Sequence, residues 1–221
     1  MTILALDTTT EFGSMALRVD GKTMGESHLH SNDGFAHVVF QSMEEMLARS
    51  GQSLSEIDCF AAGAGPGSFT GVRVGLTAAK GLAEALNKPV AAVSNLRALA
   101  AFGASERRAV VLDARRGEVY AAVYDAKLNL VQPEIVMKFS DWLQGLEAET
   151  YEFITATSAP FQTISGGTRF AQMQWTEAPR SIASAVALCA EIDAADGKLL
   201  DPLAADANYV RRSDAELAWK E

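Results

Sequence analysis

The sequence predicts an α/β fold built from two similar lobes, and three observations carry that prediction. Short apolar stretches alternate along the chain with stretches that repeat every three to four residues, the strand-then-helix rhythm of an α/β protein. An apolar strand ending in Asp, a polar turn and a second strand ending in Asp occur twice. The pairs are Asp7 with Asp20 and Asp113 with Asp125, 13 and 12 residues apart. A length of 221 residues, 48% of them hydrophobic and 21% charged, suffices for one large domain or two lobes with a core each.

In order, Thr2 to Asp7 reads as a strand, Gly13 to Gly21 as a second, and the stretch near Lys22 to His30 as a third. Phe35, Val39, Met43 and Leu47, widened by Val38 and Met46, form the apolar stripe of a helix that Gly51 ends. Ile57 to Ala62 is a buried-type strand that runs into a glycine-rich segment. A long helix follows from Phe69 to Leu86, closed by Asn87-Lys88-Pro89, then a strand over 89–93 and a short helix from Asn95 to Phe102. The pattern restarts with strands over 109–113 and 119–125. Ser140 is placed as the cap of a short helix through Leu146, with a strand over 151–155 and a helix over 181–192. The duplication gives a first lobe over 1–104, a smaller second lobe over 105–202, and a tail over 203–221 that packs back on the first lobe.

A net charge of −9 opposes any grip of this chain alone on a nucleic-acid backbone, and the pairs Arg107/Arg108, Arg115/Arg116 and Arg211/Arg212 are too few to reverse it. Two cysteines, Cys59 and Cys189, lack metal or disulfide spacing and suit a reducing compartment. The chain opens on a strand with no signal-peptide pattern, and no apolar stretch reaches spanning length. These features predict a cytoplasmic protein with no membrane contact. Cys59, in an apolar strand, is expected to be a buried, inert thiol. His28 and His30 alternate along one strand but lack further ligands, and a metal site is not expected. His37 reads as a structural residue on an amphipathic helix.

The most informative segment is 63–81, with Gly63, Gly65, Gly67, Gly71 and Gly75 first in a turn and then at helical spacing. Glycine costs a helix about 1 kcal/mol against alanine, so the run implies a close backbone approach. Strand, glycine turn and helix N-terminus is a geometry that can present N–H groups to an anion. The specific motifs fail, however. No glycine here is followed by the Gly-Lys of a P-loop, and Ser68 and Thr70 stand where a dinucleotide fingerprint needs its third glycine. Pro66 and Thr70 stand where a nucleophile elbow around Ser68 needs its glycines. Ser68 reads instead as the cap of the following helix. Gly71, Gly75 and Ala79 share one helical face with Ala78 and Ala83 beside it, flanked by Arg73 and Lys80. That spacing suits both packing on the protein's own sheet and the docking of a partner helix.

Gly-Pro-Gly-Ser-Phe-Thr-Gly-Val-Arg-Val-Gly at 65–75, with Ala79-Lys80-Gly81-Leu82-Ala83 after it, resembles the most specific block of the bacterial TsaB family, also called YeaZ. Leu4-Ala5-Leu6-Asp7-Thr8-Thr9-Thr10, Asp113-Ala114-Arg115-Arg116-Gly117-Glu118-Val119-Tyr120 and Tyr209-Val210-Arg211-Arg212 resemble its other signatures, so the likeness runs from residue 4 to residue 212. His37 followed by Val38-Val39-Phe40 departs from the family's usual His-Ser then Leu-Leu-Pro. The resemblance implies an actin-like (ASKHA) α/β superfold with two ribonuclease-H-like lobes. It also implies a non-catalytic subunit in synthesis of threonylcarbamoyladenosine beside the tRNA anticodon. Its implied partners are the catalytic paralogue TsaD and the ATPase TsaE, with a homodimer when alone and tRNA reached only through the complex. TsaD carries a His-x-x-x-His metal pair after the next strand; here Asn95 and Leu99 stand at those places, and leucine cannot ligate a metal.

The expected interface comprises Gly67, Ser68, Phe69, Thr70, Gly71, Arg73, Val74, Gly75, Ala78, Ala79 and Leu82, with Arg115 and Arg116 as second-lobe anchors. Asp7, Thr8, Thr9, Thr10 and Gly65 are nucleotide-contact candidates, because actin-like enzymes hold a metal–phosphate at such a strand end. No catalytic or metal residue is assigned, and ATP or ADP is expected, if at all, at a heterodimer interface. The rival readings are an actin-like ATPase or kinase and an M22-type peptidase, each acting alone.

Overall fold

The first strand is apolar on both faces, and the structure explains why. In the computed structural model, which describes residues 1–31, 33–147 and 150–211, β1 (Thr2–Asp7) lies at the centre of a five-stranded sheet and every residue in it is buried. Its neighbours are β2 (Ser14–Val19), antiparallel, and β4 (Cys59–Gly65), parallel. The antiparallel β3 (Lys22–His28) and the parallel β5 (Val90–Ser94) form the edges. Side chains alternate across a strand. Leu4, Leu6, Met15, Leu17 and Phe60 therefore face the core beneath α1 (Val39–Ser50) and α2 (Phe69–Leu86). The short α3 (Asn95–Ala100) follows β5 directly.

The duplication is present. β6 (Arg107–Asp113), β7 (Glu118–Asp125) and β8 (Leu130–Lys138) form a meander, and β9 (Glu152–Thr155) and β10 (Gln174–Glu177) extend it in parallel from β6. Read within each set of five, both sheets have the order third, second, first, fourth, fifth. α4 (Phe139–Gly145) stands between β8 and β9 as α1 stands between β3 and β4, and α5 (Ala159–Ser165) connects β9 to β10. The second core is aromatic: Phe139, Trp142, Tyr151, Phe153 and Phe170 cluster there, and Trp175 stacks on Phe153 at 4.8 Å.

Three sequence expectations need correction. β8 and β10 were not expected as strands; both are edge strands of mixed polarity, β8 containing Pro133, and edges show little apolar alternation. Ser140 does not cap α4, which begins at Phe139, and its hydroxyl bonds the Asp141 carboxylate at 3.0 Å instead. The contiguous lobes 1–104 and 105–202 also give way to an interleaved division. One unit is Met1–Ala98 with Arg180–Asn208; the other is Leu99–Pro179 with residues 209–211.

The helix α6 (Ala183–Ala195) causes that difference. It packs on β1 and β2 of the first unit, covering the sheet face opposite α1 and α2. Two ion pairs fasten it there, Arg18 to Glu191 and Arg97 to Asp193, each at 2.7 Å. The tail returns to the first unit only in part: Ala205 is buried in its core and Asn208 bonds Ala64. Arg212 and the rest of the tail lie outside the described residues.

Candidate functional site: the amino end of the long helix and its outer face

α2 has the bounds its sequence signals set. The Ser68 hydroxyl accepts the Gly71 N–H at 3.3 Å, and Asn87 closes the helix in the left-handed conformation. Four-residue spacing lays its side chains in rows. The row Gly71, Gly75, Ala79 and Ala83 is buried and faces the sheet. A β-carbon on Gly71 would overlap the main-chain oxygen of Thr8, and one on Gly75 would stand 2.6 Å from the Thr8 hydroxyl. Gly71, Gly75 and Ala79 are therefore not available to a partner helix; the close approach their glycines allow is to the protein's own β1–β2 turn. Lys80 likewise turns inward, donating to the Ala205 oxygen at 2.6 Å.

The outer surface of α2 lies one row over. Phe69, Arg73, Thr77 and Gly81 are exposed, and Val74, Ala78 and Leu82 are half-buried beside them. With Thr70, with Ala36 just before α1, and with Val39 and Phe40 at its start, they line a mostly apolar groove of about 680 Å³. Phe40 and Phe69 are 52% and 48% exposed, more than solvated side chains of that size gain from. The Arg73 guanidinium lies 3.7 Å from the centre of the Phe69 ring. Six of the expected interface residues, Phe69, Thr70, Arg73, Val74, Ala78 and Leu82, thus line one groove, while Gly67 and Ser68 are exposed at its amino end. Sequence reasoning missed Phe40 and Thr77. A large aromatic on the polar side of the α1 stripe was the available signal for the first.

The nucleotide-contact candidates are mostly interior. Asp7, Thr8 and Thr9 are at most 1% exposed, and only Thr10 reaches partial exposure. Asp7 Oδ1 accepts the Thr9 hydroxyl at 2.6 Å and the Thr9 N–H at 3.1 Å. Burial pushes the Asp7 pKa up, against the pull of those two bonds. The Thr8 hydroxyl donates to the Gly71 oxygen at 2.6 Å. In the glycine turn the Gly65 N–H goes to Asn95 Oδ1 at 3.2 Å and the Ser68 N–H to the Thr9 oxygen at 2.7 Å. Gly65 has φ of +102° and its peptide to Pro66 is cis. These two donors serve the fold rather than a ligand.

Asn95, at the place of the paralogue's first histidine, uses both ends of its carboxamide within the chain: Nδ2 donates to the Thr9 hydroxyl. Leu99 is buried. Among the described residues no cluster of three or more His, Cys, Asp or Glu could hold a metal. His28 bonds Ser181 at 2.8 Å and His37 lies 3.3 Å from Ser31. Both cysteines are buried, and burial pushes each thiol up to about 12. Among the described residues no helix is long and apolar enough to cross a membrane.

Arg115 and Arg116 sit in the second unit, exposed at the tip of the β6–β7 hairpin. Their φ values are +63° and +57°, a conformation uncommon for residues with a side chain. Behind them Arg211 donates to the Ala114 oxygen at 2.8 Å and pairs with Glu118.

The family model for TsaD, tRNA N6-adenosine threonylcarbamoyltransferase, matches residues 32–219. A tRNA threonylcarbamoyladenosine biosynthesis protein TsaB from Bacillus subtilis is 32% identical, with the match covering 100% of this chain and 99% of that one. The protein of the same name from Haemophilus influenzae is 39% identical over 66% of this chain, a match that covers only 61% of that relative. The solved structure of YeaZ from Pseudomonas aeruginosa superposes with a TM-score of 0.79 at 29% identity, covering 94% of this chain and 99% of that one. With two like-ordered α/β sheets, these likenesses fix the fold as actin-like with two ribonuclease-H-like lobes. The chain belongs to the TsaB (YeaZ) family.

Proposed function

We propose that this protein is a non-catalytic subunit of threonylcarbamoyladenosine synthesis on tRNA, working in the cytoplasm by pairing with a TsaD-like paralogue. The docking surface is the groove between α1 and the outer rows of α2, with Arg115 and Arg116 as further contacts. The observation that carries this reading is the exposed apolar groove on a chain whose full length matches a TsaB protein. An exposed apolar patch with an aromatic and an arginine at its centre has the composition of an interface core. Self-pairing through the same groove follows when the paralogue is absent. A TsaE-like ATPase joins the pair, and tRNA is reached only through the assembly. Any ATP or ADP sits at the heterodimer interface, because Asp7, Thr8 and Thr9 are buried and Thr8, Thr9 and one Asp7 oxygen are engaged in internal bonds. The same internal bonding weighs against an ATPase or kinase acting alone, and Ser68, used as a helix cap, against a peptidase.

The test is a pull-down of the tagged chain from its native extract, read by mass spectrometry, with a threonylcarbamoyl-transfer assay on purified components. Recovery of TsaD-like and TsaE-like proteins, with transfer that depends on adding this chain, supports the proposal. Recovery of neither, or transfer unaffected by the chain, overturns it.

A further inference from the structure

The start of α2 is mounted on the sheet through one buried threonine. Thr9 is 1% exposed, yet all three of its polar groups are engaged with three different segments. Its main-chain oxygen accepts the Ser68 N–H at 2.7 Å, at the cap of α2. Its hydroxyl donates to Asp7 at 2.6 Å, at the end of β1, and accepts the Asn95 side chain, at the start of α3. Its N–H donates to the same Asp7 oxygen at 3.1 Å.

The direction of these bonds is fixed. The Gly65 main-chain N–H can only donate, so Asn95 Oδ1 accepts it and the Asn95 NH₂ faces the Thr9 hydroxyl. The single proton of that hydroxyl is then left for the Asp7 carboxyl oxygen. The cluster is closed on the β4 side: a β-carbon on Gly63 would stand 2.8 Å from Asp7 Oδ1 and 2.9 Å from Asn95 Oδ1. The other Asp7 oxygen is buried with no partner among the described residues. Loss of the Thr9 hydroxyl would therefore leave this buried carboxyl with one donor among the described residues, the Thr9 N–H.

We propose that Thr9 is a positioning residue: together with Asp7 and Asn95 it sets the placement of the first turn of α2, so that partner affinity depends on a hydroxyl no partner touches. The row it presents is Phe69, Arg73 and Thr77, and this inference rests on the docking role proposed above for that row. The Ser68 and Gly71 contacts to the β1–β2 turn transmit the placement, since both end on residues 8 and 9.

The experiment compares Thr9→Val, which keeps the shape and removes the hydroxyl, with Thr9→Ser, which restores it. Two quantities are read on the full chain: amide hydrogen exchange over residues 65–72 in the chain alone, and affinity for the purified TsaD-like paralogue by calorimetric titration. Thr9→Val is expected to speed exchange over 65–72 by roughly tenfold relative to α6 and to weaken pairing by about the same factor. Thr9→Ser stays within about twofold of the parent in both, as a retained hydrogen bond requires. Asn95→Ala, which removes the donor to Thr9, carries the same expectation and replaces Thr9→Val if that variant does not fold. Equal exchange in the Val and Ser variants, or acceleration spread evenly over all helices, overturns the inference. Phe40→Asp, on the groove itself, separates the two levels. If it leaves affinity unchanged, the docking assignment fails and the exchange data alone judge Thr9. If it weakens pairing while Thr9→Val does not, only the positioning inference fails.

Discussion

The hydroxyl of Thr8 donates to the main-chain oxygen of Gly71 at 2.6 Å, and the main chain of Thr8 fills the space a side chain on Gly71 would need. A helix of L-residues cannot bring its backbone this near a turn unless the residue between them is glycine. The small-residue stripe of α2 is thus a seat for the β1–β2 turn, and the exposed surface of the helix lies one row around from it.

Gly71→Ala is expected to destabilise the protein by about 1–3 kcal/mol or more, since the added methyl overlaps the Thr8 oxygen and the turn is locked on its far side. Gly81→Ala is the control on the outer row, where an added β-carbon meets nothing within 4 Å. It should raise stability by roughly 0.5–1 kcal/mol through helix propensity. Urea unfolding of the two variants measures both; equal effects would contradict the assignment of inner and outer rows.

Arg97 reaches both oxygens of Asp193 from one nitrogen, at 2.7 and 2.8 Å, in a pair that is less than a fifth exposed on either side. Asp193→Ala should cost about 1–2 kcal/mol, between the values for surface and buried pairs. Because the pair holds α6 on the first unit, hydrogen exchange should rise in α6 before the aromatic core of the second unit. Uniform acceleration in both would contradict the interleaved division.

Two buried carboxyls should pull stability in opposite directions as pH changes. Asp7 has its pKa raised by burial above the ordinary 3.8, so the folded state is penalised progressively as pH rises from there. For Glu152, burial pushes upward but bonds from the Thr176 hydroxyl and the Ser105 and Ala104 N–H groups outweigh it, holding it below 4.5. Its contribution is full above that ordinary value and is lost as pH falls through the folded one. Asp7→Asn, which keeps an acceptor for Thr9, should therefore gain on the parent as pH is raised. Glu152→Gln should be less stable at neutral pH and lose less on acidification. Unfolding free energies across the acidic range check both signs.

The sequence made the local elements readable where signals were local. Ser68, and Asn87 with Pro89, bound α2 because a cap and a helix stop act within a turn. The repeated strand-to-Asp pattern disclosed the duplication because equivalent strands occupy equivalent central places in their sheets. Helix period, by contrast, gives the spacing of rows and not which row meets the sheet; that phase depends on Thr8, more than sixty residues earlier in the chain. α6 is apolar nearly all round, which announces deep burial but not the unit that buries it. The bond between Asn95 and Thr9 had no sequence signal, since it joins residues 86 positions apart.

The central claim is that the groove between α1 and the outer rows of α2 receives the TsaD-like paralogue. Calorimetric titration of that paralogue with the parent chain and with Phe40→Asp tests it most directly, because Phe40 is half-exposed and its replacement spares the core. The account predicts at least a roughly 30-fold loss of affinity with an unchanged melting temperature, the effect of losing an interface hot spot. Unchanged affinity in a folded Phe40→Asp chain would contradict it.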